Sequence, residues 1–151
     1  MRKPKQHPRE GTIPSADIVL AYKKAFGMSW WQSLISLFSG TFKLADPYYQ
    51  EADEDIILEV LKNDHTERVK YVLHDNDCDD RTFRLMGVYH IDDRTVAYPI
   101  FITWVEYYRN GKRYGHAVLS YLYKGKVRYI EPQNDNVLPI PDDWTLTVLM
   151  G

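Results

Sequence analysis

Cys78 is the single cysteine of the chain, so it can form neither an intramolecular disulfide nor a multi-cysteine zinc site. It must be core, a lone ligand or a reactive thiol. The stretch Asp77-Cys78-Asp79-Asp80 runs into Phe83, Leu85 and Met86 with Gly87 beyond. It reads as a short helix capped by Asn76 or Asp77, with the cysteine in its first turn. The positive end of a helix stabilises a thiolate and so favours nucleophilic chemistry. Asp75, Asp77, Asp79 and Asp80 act the other way, because negative charge disfavours a second anion. Either the thiol is inert, or a protonated histidine and a bound divalent ion offset the carboxylates.

His116 is the candidate cation, and strand register says where its partner lies. With Lys124-Gly125 as the central residues of a hairpin turn, Tyr123 faces Lys126 and Glu131 falls opposite Val118, diagonal to His116. That diagonal spans about 7–8 Å, within reach of a glutamate for an imidazole. Pro132 limits how far the ladder can extend, while Gly115 and Ala117 leave room beside the histidine. Cys78 as nucleophile, His116 as base and Glu131 as the acid orienting that base form a coherent set. Other readings stand beside it: a buried inert cysteine, a structural histidine, aspartates that merely solvate a helix start, or zinc held by His74, Cys78 and an aspartate.

The elements that must position these residues divide the chain into a helical part and a strand-rich part. Residues 1–14, with Pro4, Pro8, Gly11 and Pro14, read as a mobile N-terminal arm, and residues 15–151 as one domain. Helices are expected from Ser15 or Asp17 to Phe26, from Ser29 to Phe38, and from Glu51 to Leu61. The Trp30–Phe38 stretch is expected to pack in the core; it is short and lacks the basic face of a membrane-lying helix. Val69, Tyr71 and Leu73 suggest a short strand. Asn110-Gly111 and Lys124-Gly125 then divide three antiparallel strands, at about 99–109, 112–123 and 126–131, and a last strand lies near Thr145–Leu149. Helices first and sheet second make the expected class α+β.

Bulk properties narrow the function. A chain of 151 residues with 44% hydrophobic and 26% charged residues fits one globular domain. A net charge of −2 gives no global field for nucleic acid or an anionic membrane. No stretch is long and apolar enough to span a bilayer and the N-terminus lacks the apolar run of a secretory signal, so a soluble, cytoplasmic protein is the default expectation.

The segments Asp77-Cys78-Asp79-Asp80, Gly115-His116-Ala117 and Ile130-Glu131-Pro132-Gln133-Asn134 resemble the catalytic segments of a papain-like, calcium-dependent cysteine protease, the protease domain of the Marasmius mushroom agglutinin. The order Cys, His, Glu matches, and the likeness covers the C-terminal half of the chain. It implies a papain-like fold, N-terminal helices packed on a C-terminal antiparallel sheet, and a thiol hydrolase of peptide or amide bonds with a peptide or protein substrate. It also implies a calcium ion on Asp80 and Gln133, with Asp79 or Asp135 helping to complete the 6 to 8 oxygens calcium takes. Val72 stands where such enzymes place a glutamine, leaving His74 or Asn76 to supply the second oxyanion donor beside the Cys78 amide. The lectin half of that agglutinin has no counterpart, so sugar binding is not implied. A transglutaminase-like acyl transferase and a catalytically inactive papain-like binding module are the alternatives.

Overall fold

The computed structural model describes residues 11–70, 72 and 77–151. The chain opens with a short strand, β1 (Thr12–Pro14), and α1 (Ser15–Ala25). Next comes α2 (Trp30–Phe38), whose Ser29 and Gln32 form a reciprocal capping box. Two short strands, β2 (Phe42–Lys43) and β3 (Tyr48–Gln50), lead to α3 (Glu54–Asn63), with Asp53 accepting from the Asp55 amide at its start. A 3-10 turn at Thr66–Arg68 precedes α4 (Cys78–Ile91). The rest is sheet: β4 (Ile100–Arg109), β5 (Lys112–Tyr123), β6 (Lys126–Glu131), β7 (Asn136–Pro139) and β8 (Thr145–Met150).

The long hairpins follow from their turns. Asn110 and Gly111 have φ of 52° and 72°, and Lys124 and Gly125 have 48° and 75°. Two consecutive positive φ values match the right-handed twist of the flanking strands, and glycine takes the second position without a Cβ penalty. The register is the expected one, with Tyr123 opposite Lys126 and Leu119 opposite Ile130.

The main sheet runs in the order β2-β8-β4-β5-β6-β7, and β1 pairs with β3 in a separate two-stranded ribbon. Both faces are covered. Ile100, Ile102, Leu119, Tyr121 and Ile130 point to one side, against Leu85, Met86 and Tyr89 of α4 and Ile57, Val60 and Leu61 of α3. Phe101, Leu122, Val127 and Leu149 point to the other, against Ile18 and Tyr22 of α1 and Tyr49 of β3. Alternating strand positions therefore feed two cores, which is why β4 and β5 read as nearly continuous apolar runs. Each fully buried aliphatic side chain contributes roughly 1.5–3 kcal/mol of transfer free energy.

Several expectations are corrected. The sheet is not purely antiparallel, because β2 joins β8 in parallel. Thr12–Pro14, assigned to the arm, pairs with Tyr48–Gln50; residues 1–10 lie outside the described residues. The helix that begins at Cys78 does not stop at Gly87 but runs to Ile91, since burial of Tyr89 on the core outweighs the roughly 1 kcal/mol a helical glycine costs. The loop before β8 contains a further strand, β7, on β6. The Trp-rich helix α2 is not core: Trp30, Trp31, Ile35, Leu37 and Phe38 are exposed.

Candidate functional site

Cys78 occupies the first position of α4 and is half-buried. Asp77 stands at the N-cap, yet makes no side-chain cap hydrogen bond. The start of α4 is tied instead through Thr82, fully buried, whose hydroxyl lies 2.7 Å from the Cys78 carbonyl oxygen and 3.0 Å from that of Ala117. This one hydroxyl couples the cysteine-bearing turn to the strand residue next to His116. A second tie is the buried Arg81, whose guanidinium donates to the Val69 carbonyl. Neither residue stood out in the sequence, because a threonine and an arginine inside a helix carry no distinguishing pattern.

His116 lies on β5 opposite Val105 of β4. Glu131, the last residue of β6, holds its Oε2 2.7 Å from His116 Nε2, and both side chains are largely buried. The β5–β6 pairing ends at Leu119 and Ile130, so the two side chains meet just beyond the ladder. The Glu131 carboxylate is itself oriented, its Oε1 accepting from the Gln133 amide at 3.3 Å, while its carbonyl accepts from the Asn134 and Asp135 amides. Gln133, expected as a metal ligand, thus acts on the site through its backbone.

Burial alone would depress the His116 pKa. Hydrogen bonds with Cys78 and Glu131, reinforced by their negative charge, outweigh it and push the pKa up to about 9. His116 is therefore favoured in its protonated form at neutral pH, with its Nε2 on the Glu131 carboxylate and Cys78 beside the ring. The three residues singled out from sequence are brought together.

An aromatic group flanks the pair. The Trp144 ring meets His116 edge-on at 5.9 Å and lies 4.8 Å from Tyr129 and 6.3 Å from Tyr107, which stacks on Tyr114 at 5.6 Å. Trp144 sits in the Pro-rich loop before β8, where no periodicity marked it in the sequence.

The acidic start of α4 is compact. One donor atom from each of Asp77, Cys78 and Asp79 lies within 4.8 Å of the others. A hydrogen bond with Asp77, then burial, raises the Asp79 pKa, as expected when two carboxylates are forced together. Asp77 and Asp79 offer the hard oxygens calcium prefers, and the sulfur does not. Asp80 is not part of this group. Asp135 lies elsewhere, facing Asp64 and Glu67; burial and those two charges push its pKa up to about 6. His74 and Asn76 lie outside the described residues. Among the described residues no helix is long and apolar enough to cross a membrane.

No family model and no curated protein matches the chain. The solved structures that share its fold include two that it matches over most of its length. One, described as a PSL1a-E64 complex, has a TM-score of 0.71 and 13% identity over 93% of this chain and 51% of that one. The other is Polyporus squamosus lectin bound to the human-type influenza-binding epitope Neu5Aca2-6Galb1-4GlcNAc, with a TM-score of 0.69 and 14% identity over 93% of this chain and 50% of that one. The chain spans about half the length of these structures. The expectation of a papain-like fold and a thiol protease is corrected accordingly: these two structures are described as a lectin and a PSL1a complex, not as proteases, and no family model supports the protease assignment. The fold is a mixed, helix-covered six-stranded sheet.

Proposed function

We propose that this chain is a ligand-binding module with carbohydrate as its ligand class, and that it binds where Trp144, Tyr107 and Tyr114 adjoin His116 and Glu131. The observation that carries this reading is the aromatic surface set 5.9 Å from a charged, hydrogen-bonded histidine. A sugar ring offers an apolar face that packs on an aromatic ring, and hydroxyls that bond to charged groups. The glycan bound to the Polyporus lectin supports the same class. The test is titration with Neu5Aca2-6Galb1-4GlcNAc and with Galb1-4GlcNAc, followed by tryptophan emission and NMR. Saturable binding that is lost in Trp144→Ala and weakened at least tenfold in Glu131→Gln is expected; no binding of either sugar at millimolar concentration overturns the reading.

One observation favours a second reading of the same site. Cys78 lies near enough to His116 to raise the imidazole pKa, and a thiol beside an imidazolium is activated toward electrophiles, with Glu131 orienting the ring. Iodoacetamide tests it: sulfur bonds to the acetamide carbon and iodide leaves. Modification below pH 8 that needs His116 supports the reading, and an ordinary thiol profile with a midpoint near 8.5 overturns it. E64, present in the PSL1a complex, is a second probe by intact mass.

Calcium is the ion proposed for the acidic start of α4, through the carboxylates of Asp77 and Asp79. Calcium then raises the melting temperature of the wild type and not of Asp79→Asn, whereas equal melting curves in calcium and chelator remove the ion from the account.

A further inference from the structure

Helix α2 is turned inside out. Ser36 is buried at 4% exposure and its hydroxyl donates to the Ser33 carbonyl, whereas Phe38 is 84% exposed, Trp30 68%, Trp31 and Leu37 65%, Ile35 60% and Leu34 38%. At 100° per residue these six apolar positions fall on one stripe of about 160°, and the helix, WWQSLISLF, carries no charge. With about 150–250 Å2 available to each aromatic ring, the stripe exposes on the order of 800 Å2 of apolar surface. A monomer rarely presents more than a few hundred.

We propose that this stripe is the interface for a second copy of the chain. Its area matches the roughly 800 Å2 per partner of a standard-sized interface. A two-fold contact sets the same patch against itself, and an uncharged helix does so without like-charge repulsion. Beside it opens a pocket of about 170 Å3 between Phe26, Met28, Ile35 and Leu146. A cavity of about 150 Å3 holds a benzene ring, so one aromatic side chain of the partner fits. A lipid surface is the poorer occupant, because a membrane-lying helix carries basic residues on its polar face and α2 has none.

The test is sedimentation and light scattering of the full chain across a hundredfold range of concentration. The expected mass is twice 17.8 kDa, falling to the monomer in Trp31→Glu with Phe38→Glu while far-ultraviolet circular dichroism is unchanged. If that variant fails to fold, Leu37→Lys alone and the shift of wild-type tryptophan emission on dilution read the same contact. A monomer at all concentrations, a dimer untouched by these substitutions, or a monomer that partitions onto phosphatidylcholine vesicles overturns the proposal.

Discussion

The Thr82 hydroxyl lies 3.0 Å from the Ala117 carbonyl oxygen, and through it the helix bearing Cys78 is fastened to the strand bearing His116. Thr82→Val keeps the volume and removes the donor to the buried Ala117 carbonyl, at a cost of about 1–3 kcal/mol. The imidazole should also lose part of its contact with Cys78, so its NMR pKa falls. Thr82→Ser, which keeps the hydroxyl, restores the pKa; a fall in stability with an unmoved pKa would show that Thr82 does not position the site.

How much of this was legible in the sequence varied with the kind of interaction. The β4–β5 and β5–β6 hairpins were readable because Asn110-Gly111 and Lys124-Gly125 are local signals for positive φ, and register followed from the turn. The meeting of His116 with Glu131 was legible for the same reason. The parallel pairing of Phe42–Lys43 with β8 was not, since it joins distant segments through two residues. The apolar spacing of α2 marked a helix, but periodicity gives a stripe and not the direction it faces. Trp144 and Thr82 matter through tertiary contacts that no local pattern encodes. The fold's likeness to a lectin lies below the level that sequence resemblance reaches, at 14% identity.

Glu131→Gln removes one of the two groups that hold His116 protonated. The His116 pKa should drop from about 9 toward the unperturbed 6.5, read by the imidazole proton shifts between pH 5 and 10. An unchanged titration would mean that Cys78 alone sets the charge.

Stability should depend on pH through the same group. The folded pKa of His116 lies above its unfolded value of about 6.5, so the folded state binds more protons between the two. The stabilisation is fully present below pH 6.5 and is lost as pH rises through about 9. The loss is on the order of 3 kcal/mol. Denaturant melts at pH 6 and pH 9.5 measure it, and His116→Ala should flatten the difference.

Asp135 gives the opposite lesson in design. Its Oδ1 and the Glu67 Oε2 are buried with no hydrogen-bond partner among the described residues, and its backbone holds φ of 58°, which asparagine accepts. Its folded pKa of about 6 exceeds the unfolded one, so its contribution is present below pH 4 and lost as pH rises through 6. Asp135→Asn should therefore raise the melting temperature at pH 7 and leave it unchanged near pH 3.

Deep in the second core, the Tyr22 hydroxyl meets the Ser120 hydroxyl at 2.7 Å across 98 positions of sequence. Helix α1 consequently has no complete docking surface until β5 exists. At about 5–20 residues per second of synthesis, that interval lasts on the order of 5–20 s. Throughout it the nascent N-terminal half displays both the face of α1 meant for the sheet and the outward stripe of α2. The hairpins of the sheet can close locally once made, so the slow step is the docking of these early helices onto strands that are synthesised last.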